Sequence, residues 1–372
     1  MEALILSCGT GGGHDAAGVA VKEELQRRGH TVTMLNPFDL KDTKLARTID
    51  HAYIKMAQRI PGLFGVIYRL GDLYRHFPWH SPVYFANGKM ASTLANYLDR
   101  HPVDVVIMPH VFPGEILTYM RDHGMTVPKT IFIATDYTCI PFTEECYFDA
   151  CVIPSEQLVP EFLSWGIPAE HIYPLGIPVR RDFLSALSQR EATNLLGLDE
   201  HFRYILVSGG SIGAGQMMRV LKKLYRLTRG TSFRIIVVCG NNEKLYRALQ
   251  VRFKDRLILL KSTDYMAQYM LACDLVLVKP GGLSVTEAAV LERPLGLLPP
   301  ISGCENCNRR FYQSNGLCYT ADATTPSLQK LLEIADSPKS NQQQHRCQRE
   351  VIHKDAAQKI CDLAEELAGE GC

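Results

Sequence analysis

The sequence lacks the features by which several large classes of protein are recognised. Lysine and arginine together number 40 and aspartate and glutamate 39, so the 372-residue chain has no basic excess of the kind expected of a nucleic-acid-binding protein. No Gly-Lys-Ser/Thr sequence occurs, which argues against a phosphate-cradling NTPase loop and against a kinase built on one. No apolar run reaches the roughly 20 residues that span a bilayer, and Met1 leads directly into a predicted strand. We therefore expect neither a transmembrane anchor nor a signal peptide.

Signals for disulfides and for bound metal are also weak. Twelve cysteines are present, but several, such as Cys8, Cys151 and Cys239, fall inside predicted strands, where a free cysteine behaves as a small buried hydrophobe. This usage favours a reducing cytoplasm. Cys304 and Cys307 have the two-residue gap of a zinc or redox pair, yet no second pair follows at a suitable spacing. We expect no metal site.

Three glycine-rich turns are the most informative features that the sequence does contain. Each follows a short apolar segment and precedes a segment of helix-forming composition, at residues 8–14, 209–215 and 280–282. A strand that turns tightly into a helix presents unpaired N–H groups and the positive end of the helix dipole, which suit a phosphate. Paired glycines also occur at such turns for steric reasons alone, so it is the repetition that favours phosphate binding.

The third turn is followed, one helical turn later, by the carboxylate of Glu287. A carboxylate repels a phosphate that lies against it but accepts hydrogen bonds from sugar hydroxyls beside that phosphate. The pattern therefore favours a nucleotide sugar over a bare phosphate. The first turn does not match the dinucleotide fingerprint, because its glycine spacing differs and residues 34–36 offer no acid at the end of the second strand. A dehydrogenase is disfavoured.

Short apolar strands alternate with helical segments along the chain, which predicts an α/β fold with parallel sheets covered on both faces. Strands are expected in a first set at 3–7, 30–35, 103–108, 130–134 and 150–153. A second set is expected at 204–208, 233–239, 257–260, 274–278 and 295–298. Two sets that each open with a glycine turn predict two Rossmann-like domains. We expect the junction at 174–180, where two prolines and a glycine interrupt the pattern.

Residues 41–90 differ in composition from the rest of the chain. They hold eight basic and three acidic side chains, a local charge of +5, interleaved with aromatic and aliphatic residues. Such a mixture is typical of a peripheral membrane surface, because the rings settle among lipid headgroups while the cations face anionic lipid. The alternative is an ordinary helical insert whose apolar residues fill its own core.

Five motifs occur in an order known from one family of glycosyltransferases, at residues 10–14, 176–180, 209–211, 239–245 and 279–288. On these motifs the chain resembles the monogalactosyldiacylglycerol synthase and diacylglycerol glucosyltransferase family, whose broader group includes the bacterial N-acetylglucosaminyltransferase that makes lipid II. The resemblance covers nearly the whole chain. It implies a GT-B fold, in which two Rossmann-like domains with parallel sheets face each other across a cleft.

The resemblance also implies how the chain is divided. An acceptor- and membrane-binding domain is expected over residues 1–178, with the membrane-associating insert at about 41–90. A UDP-sugar-binding domain is expected over 179–348. Residues 351–368 have helical apolar spacing, and in two-domain enzymes of this kind the last helix, here within 349–372, crosses back to the first domain.

By resemblance, His14 is the general base. It takes the proton of the acceptor hydroxyl as that oxygen attacks the anomeric carbon, a role that suits an imidazole. The alternative for His14 is a loop histidine that caps the following helix. Asp136 is expected to orient His14 or the acceptor, and His110 is expected to line the cleft from another strand end.

The donor residues are likewise implied by resemblance. Arg180 and the loop with Ser211 are expected to bind the diphosphate, although Arg180 also suits a salt bridge at the domain junction and has Arg181 beside it. Glu287 is expected to bind the ribose, residues 262–266 the uracil, and Glu305 with Asn308 the sugar. The complete donor set is Gly13, Arg180, Gly210, Ser211, Ser262, Thr263, Met266, Gly281, Gly282, Leu283, Ser284, Glu287, Glu305 and Asn308.

The sequence departs from the family pattern at two places. Residues 302–305 read Ser-Gly-Cys-Glu where relatives tend to have Pro-Gly-Gln-Glu, so a side-chain amide beside the sugar is lost and the identity of the hexose stays open. Residues 135–142 keep the family's Thr-Asp but lack the histidine and tryptophan that often follow it. The lipid acceptor therefore stays open as well.

The expected activity is inverting, metal-independent transfer of glucose or galactose from a UDP-sugar to diacylglycerol, forming a membrane glycolipid without a cofactor. The protein is expected to be cytoplasmic and peripherally associated with the inner face of the cell membrane. Its expected partners are the UDP-sugar, a diacylglycerol-type lipid and an anionic membrane surface, and no nucleic acid. Two alternatives stay open: an acceptor linked to polyprenyl diphosphate, as in cell-wall synthesis, or a non-catalytic protein that senses UDP-sugars.

Overall fold

The computed structural model describes residues 1–9, 12–41, 71, 73–77, 79–210, 213, 216–301, 303–336 and 338–369. Most of the segment 41–90, for which a membrane surface is predicted, lies outside these ranges, and so does Ser211. The chain divides into two compact units. The N-terminal unit consists of Met1–Arg180 and His353–Cys372, and the C-terminal unit of Arg181–Ile352.

A six-stranded parallel sheet forms the centre of the N-terminal unit. Its strands are β1 (Glu2–Leu6), β2 (Thr31–Leu35), β3 (Val105–Met108), β4 (Lys129–Ile133), β5 (Ala150–Val152) and β6 (Ile172–Tyr173). They lie in the order β2-β1-β3-β4-β5-β6, and every neighbouring pair is parallel. All four residues of β3 are buried, as a parallel strand covered on both faces requires.

A second six-stranded parallel sheet forms the centre of the C-terminal unit. Its strands are β7 (Arg203–Ser208), β8 (Phe233–Val238), β9 (Ile258–Leu260), β10 (Leu275–Val278), β11 (Leu295–Leu297) and β12 (Tyr319–Thr320). Their order is β12-β11-β10-β7-β8-β9, again with parallel neighbours. The predicted α/β architecture with two parallel sheets is confirmed. The two-residue strands β6 and β12 were not predicted.

Helices cover both sheets. They are α1 (Gly12–Arg27), α2 (Pro82–Gly88), α3 (Ala91–Arg100), α4 (Val111–Asp122), α5 (Val159–Ser164), α6 (Gln189–Leu195), α7 (Met217–Leu227), α8 (Glu243–Phe253), α9 (Met266–Ala272), α10 (Gly282–Val290), α11 (Cys304–Ser314), α12 (Thr325–Asp336), α13 (Pro338–Val351) and α14 (Ala356–Gly369). Short 3₁₀ turns lie at Pro37–Leu40, Glu156–Leu158, Ala169–His171, Arg181–Leu184 and Lys254–Arg256. Within the described ranges, no helix combines the length and the apolar character needed to cross a bilayer.

The last helix, α14, packs on the first helix of the chain. Its buried apolar residues, among them Ile360 and Leu363, join the core that also contains Val21 and Leu25 of α1. Beside this contact, Arg28 donates to Asp362 at 2.7 Å and to Glu365 at 3.1 Å. The C-terminal segment therefore belongs to the N-terminal unit, and the structural division falls after Arg180 and after Ile352.

Strand order marks one point in each sheet where a ligand is expected. The order reverses at β1, which lies between β2 and β3, and at β7, which lies between β8 and β10. Open α/β sheets bind ligands outside the carboxyl ends of their strands at such a reversal. The connection after β1 leads to His14 and that after β3 contains His110, whereas Gly210 follows β7 and Gly281 follows β10. Each unit thus carries one candidate site.

Candidate active site

His14 lies in the first turn of α1, half-buried, with its ring held at one nitrogen. Nδ1 is 2.7 Å from the backbone carbonyl oxygen of Pro109 and 2.8 Å from the hydroxyl oxygen of Thr135. Because a carbonyl oxygen only accepts hydrogen bonds, Nδ1 must be the donor and must carry the hydrogen. In the neutral ring the lone pair then lies on Nε2, which is the atom able to take a proton.

The residues that hold the His14 ring come from two other strands. Pro109 follows β3 and Thr135 follows β4, two strands that are hydrogen-bonded neighbours in the sheet. Parallel neighbours bring their carboxyl ends to the same edge, so segments that lie 95 and 121 residues from His14 in the sequence meet at its ring. Sequence reasoning named the loop that begins at Thr135 but did not assign Thr135 this role. Its one signal was a hydroxyl residue directly after a buried strand.

His110 lies beside His14 but differs from it in environment. The two ring centroids are 4.6 Å apart in an edge-to-face arrangement. His110 is buried, and its Nδ1 accepts the backbone N–H of Phe112, which caps the start of α4. Burial holds the pKa of the His110 imidazole well below its ordinary value. The neutral form of His110 is thus favoured, and it places no positive charge next to His14.

Two carboxylates lie near this histidine pair. Asp136 lines the same small cavity as His14, but it is not one of the two groups that hold the Nδ1 atom. Asp15, the neighbour of His14 in the sequence, accepts a hydrogen bond from the hydroxyl of Ser7 at 2.5 Å. Burial raises the pKa of the Asp15 carboxyl. The role predicted for Asp136 stays a prediction, and Asp15 was not named from the sequence.

The glycine turn after β10 forms the second candidate site, in the C-terminal unit. Helix α10 begins at Gly282 with Gly281 at its N-cap position, where the residue has no side chain to bond the first N–H groups. Around this turn, Lys279 Nζ lies 2.9 Å from Glu305 Oε1, and Asn308 donates to the carbonyl oxygen of Pro280 at 3.0 Å. The arrangement offers unblocked N–H groups and an ammonium at one place, which suits a diphosphate.

Gly210, in the turn after β7, lies against the side chain of Lys279, in the turn after β10. Its φ of +70° is one that side-chain-bearing residues rarely adopt. A Cβ placed on Gly210 would lie 2.6 Å from Cε of Lys279. A side chain at Gly210 would therefore have to push the end of the Lys279 side chain away from Glu305. The structure thus brings together four of the predicted donor residues, Gly210, Gly281, Glu305 and Asn308.

The face that α10 leaves accessible repeats every three residues. Gly281, Ser284 and Glu287 are half-buried, whereas their neighbours on the helix are buried, including Gly282 and Leu283. Residues three apart lie on one side of a helix, so the side chains of Ser284 and Glu287 share one accessible face, and it starts at the glycine turn. This is the geometry that a ribose beside a diphosphate would require.

The other predicted donor residues lie in separate places. Ser262 and Thr263 follow the edge strand β9, and the Thr263 hydroxyl oxygen accepts the N–H of Tyr265 at 3.0 Å just before Met266 opens α9. Gly13 lies in the first turn of α1, and Arg180 is the half-buried last residue of the first stretch of the N-terminal unit. Their assignments to the donor stay predictions, as does that of Ser211 outside the described residues.

Lys279 is the residue of this site that sequence reasoning did not assign. It belongs to the motif at residues 279–288, but its partner Glu305 lies 26 residues later in the sequence and was assigned to the sugar. Glu305 is nearly buried, and its second oxygen accepts the N–H of Ile301 at 2.9 Å. Its carboxylate therefore already has two partners, which fix the start of α11 next to the glycine turn.

Two family models match the chain. Residues 14–179 match monogalactosyldiacylglycerol (MGDG) synthase, and residues 204–360 match the glycosyltransferase family 28 C-terminal domain. Between them the two matches cover most of the chain, and both models describe glycosyltransferases. The first match begins at His14, and the second contains all of the residues around the β7 and β10 turns.

Individual proteins agree with the family models. A processive diacylglycerol beta-glucosyltransferase of Staphylococcus carnosus is 27% identical over 244 residues, which are 65% of this chain and 61% of that protein. The matched region thus spans about three fifths of that relative's length. The protein of the same name from Bacillus subtilis is 24% identical over 339 residues, covering 89% of this chain and 86% of the relative.

Solved structures show the same fold. Acinetobacter baumannii MurG superimposes with a TM-score of 0.63 over 98% of this chain and 99% of its own, at 17% sequence identity. At this identity the likeness concerns the fold alone. It agrees with the two parallel six-stranded sheets described above.

Proposed function

We propose that this protein transfers a hexosyl group from a UDP-sugar to diacylglycerol, with inversion at the anomeric carbon and without a metal ion. The acceptor oxygen attacks the anomeric carbon and loses its proton to Nε2 of His14. The bond from that carbon to the diphosphate oxygen breaks, and UDP leaves with the electron pair. The observation that carries the proposal is the contact from His14 Nδ1 to the Pro109 carbonyl oxygen, which leaves Nε2 as the free base.

The C-terminal unit supplies the electrostatic part of the proposal. As UDP departs, negative charge grows on its diphosphate, and preorganised donors stabilise that charge more than they stabilise the ground state. The N–H groups at the start of α10 and the ammonium of Lys279 are such donors. Among the described residues, no three His, Cys, Asp or Glu side chains are grouped so that they could hold a metal ion. The proposed charge stabilisation uses amides and cations instead.

The proposed substrates follow from the relatives. The matched family model is named for monogalactosyldiacylglycerol synthase, and the matched bacterial relatives are named diacylglycerol beta-glucosyltransferases. Diacylglycerol is common to both names, whereas the hexose differs. We therefore assign diacylglycerol as the acceptor and UDP-glucose or UDP-galactose as the donor. A lipid acceptor implies work at a membrane surface, which we place at the inner, anionic face of the cell membrane.

A product assay tests this proposal. The full-length protein is mixed with vesicles that contain diacylglycerol and with one UDP-sugar at a time, and the lipids are identified by mass spectrometry. We expect monohexosyl-diacylglycerol with UDP-glucose or UDP-galactose, in the presence of EDTA as in its absence. His14→Gln should lower kcat on the order of 10²- to 10⁴-fold, the usual contribution of a general base, and leave UDP affinity unchanged. UDP binding without any transfer would contradict the proposal, and so would a product that forms only when vesicles with a polyprenyl-diphosphate-linked acceptor replace those with diacylglycerol.

A further inference from the structure

A groove in the C-terminal unit is lined by basic side chains that the proposed transfer does not use. Lys222, Arg226 and Arg229 border it from α7 and the turn that follows, and Arg252 and Arg256 border it from α8 and the turn after that helix. We call these five residues the basic groove. Its volume is about 510 Å³, and the four arginines are exposed.

The basic groove lies at the opposite edge of the sheet from the donor turns. Helix α7 runs from the carboxyl end of β7 to the amino end of β8, and α8 runs in the same way from β8 to β9. The last turns of both helices therefore lie at the amino edge of the sheet. Gly210 and Gly281 follow the carboxyl ends of β7 and β10. The groove is a separate surface and not an extension of the UDP-sugar site.

The segments that form this surface are strongly basic. Residues 217–231 contain five basic side chains and no acid, and residues 244–256 contain five basic side chains and one acid, Asp255. Glu243, at the start of α8, is paired with Arg247 and Lys261, away from the groove. Among the described residues, none of the five groove cations forms an ion pair with a carboxylate. A chain of net charge +1 thus concentrates unpaired positive charge here.

Helix dipoles account for only part of this charge. A cation in the last turn of a helix interacts favourably with the negative end of the dipole, and this explains one residue in each helix, Arg226 in α7 and Arg252 in α8. Arg229 and Arg256 lie beyond the helix ends. The clustering of five cations around one groove therefore indicates that the groove binds an anion.

The local geometry indicates which anion. The groove lies at helix C-termini, which present carbonyl oxygens, so an anion can be bound here only by the cationic side chains and not by backbone N–H groups. The floor is formed by the rings of Tyr225 and Phe253, whose centroids are 5.4 Å apart, and Val251 on the rim is 80% exposed. Long cationic side chains around an exposed aliphatic residue suit a plane of negative charge with an apolar layer beneath it.

We propose that the basic groove binds the phosphodiester headgroups of anionic phospholipids. The C-terminal unit then contacts the membrane through its own surface, independently of residues 41–90. The inference does not depend on the transfer reaction, because it concerns binding to lipid in the absence of any donor.

Vesicle co-sedimentation of the full-length protein tests the proposal. The triple variant Arg226→Gln/Arg229→Gln/Arg252→Gln is compared with the unaltered protein on vesicles that contain phosphatidylglycerol and on vesicles of phosphatidylcholine alone. Each basic residue near an anionic leaflet strengthens binding about five-fold, so the triple variant should bind on the order of 100-fold more weakly to the anionic vesicles. Binding of the unaltered protein should also fall as salt rises.

A matched control removes the same number of positive charges elsewhere in the same unit. Arg190→Gln/Arg346→Gln/Arg349→Gln replaces three arginines that are each paired with a glutamate. This control should bind anionic vesicles as the unaltered protein does. Both triple variants change exposed side chains only, and equal melting temperatures and equal UDP affinity will show that they are folded.

Two results would overturn the proposal. One is undiminished binding of the groove variant to anionic vesicles. The other is binding of soluble tripolyphosphate or of an oligonucleotide that the groove substitutions abolish while vesicle binding persists, since the groove would then serve a different anion. Failure of the transfer assay leaves this result intact, because vesicle binding is measured without a sugar donor.

Discussion

The ammonium of Lys279 lies 2.9 Å from one carboxylate oxygen of Glu305, whose other oxygen accepts the N–H of Ile301. Both side chains are largely buried, with 17% of the lysine and 9% of the glutamate side chain exposed. The pair joins the glycine turn after β10 to the start of α11. A buried ion pair of this kind adds little stability over an apolar pair, but removal of one partner leaves the other charge buried without its neighbour.

Lys279→Met should therefore lower the free energy of unfolding by about 3 kcal/mol. The double variant Lys279→Met/Glu305→Gln should recover part of this loss, because the neutral amide oxygen can still accept the N–H of Ile301 and no lone charge stays buried. Denaturant unfolding of the unaltered protein, both single variants and the double variant measures the coupling. Strictly additive effects of the two substitutions would show that the pair is not coupled.

Two glycines of the C-terminal unit form a matched pair for a second prediction. Gly210 and Gly197 both have positive φ, +70° and +64°, so alanine at either position costs about 1 kcal/mol of backbone strain. Around Gly197 a Cβ would meet nothing within 4 Å, whereas at Gly210 it would meet Cε of Lys279 at 2.6 Å. Only Gly210→Ala must displace the lysine from Glu305.

We expect Gly197→Ala to lower the free energy of unfolding by the strain alone and to leave UDP affinity unchanged. Gly210→Ala should lower stability further, because Glu305 stays buried without its partner when the end of Lys279 moves aside, and should also weaken UDP binding. Denaturant unfolding and calorimetric titration with UDP measure both effects. Equal behaviour of the two variants would mean that Lys279 moves aside freely and that the turn after β7 does not hold the diphosphate.

Local sequence signals were sufficient for most of the fold. Strands such as β3 and β10 are continuous apolar runs because parallel strands are buried on both faces, and the sequence shows this directly. The glycine turns could be placed because each lies between such a run and a helical pattern. Strands β6 and β12 have only two residues each, too few for any periodicity to be visible.

The contacts that define the sites could not be read in the same way. The ring of His14 is held by Pro109 and Thr135, and these three residues meet because β1, β3 and β4 are neighbours in the sheet. Strand order is a property of the whole sheet, and the one local signal at Thr135, a hydroxyl residue after a buried strand, does not show which side chain it contacts. The same holds for Lys279, to which the resemblance gives no role, and Glu305, which it assigns to the sugar, because nothing local in the sequence pairs them.

Thr135 gives a third prediction, which concerns how the His14 ring is positioned. Thr135→Val preserves the shape of the side chain but removes the hydroxyl that lies 2.8 Å from Nδ1, while Pro109 still accepts from that nitrogen. The hydroxyl is a second acceptor of the single Nδ1–H, and its loss, at no more than about 1 kcal/mol, should lower kcat by up to roughly five-fold. KM for the UDP-sugar should stay unchanged, because Thr135 positions the base and does not hold the donor.

Thr135→Ser is the matched variant for this experiment. It keeps the hydroxyl and loses only a methyl group, so its kcat should stay near that of the unaltered protein. Initial rates over a range of UDP-sugar concentrations separate kcat from KM. If the serine variant is as slow as the valine variant, the methyl group and its packing matter and the hydrogen bond to His14 does not.

His110 gives a prediction about pH. Burial holds the pKa of its folded-state imidazole well below 6.5, whereas in the unfolded chain the ring titrates near that value. Below pH 6.5 the unfolded state therefore binds more protons than the folded state, so this residue makes the stability fall as the pH is lowered. Well above pH 6.5 it does not change the stability with pH. His110→Asn removes the titration but keeps an N-cap acceptor for the Phe112 N–H, since asparagine is a favoured N-cap residue.

The stability of the unaltered protein should consequently fall more steeply between pH 7 and pH 5 than that of His110→Asn. The difference should grow as the pH falls below 6.5, by at most about 1.4 kcal/mol per pH unit. Denaturant unfolding of both proteins at several pH values measures it, and comparing the two cancels the titration of every group that they share. Parallel pH profiles would show that the His110 ring has the same pKa in the folded and the unfolded state, and His110 would then gain a positive charge beside the proposed base as the pH is lowered.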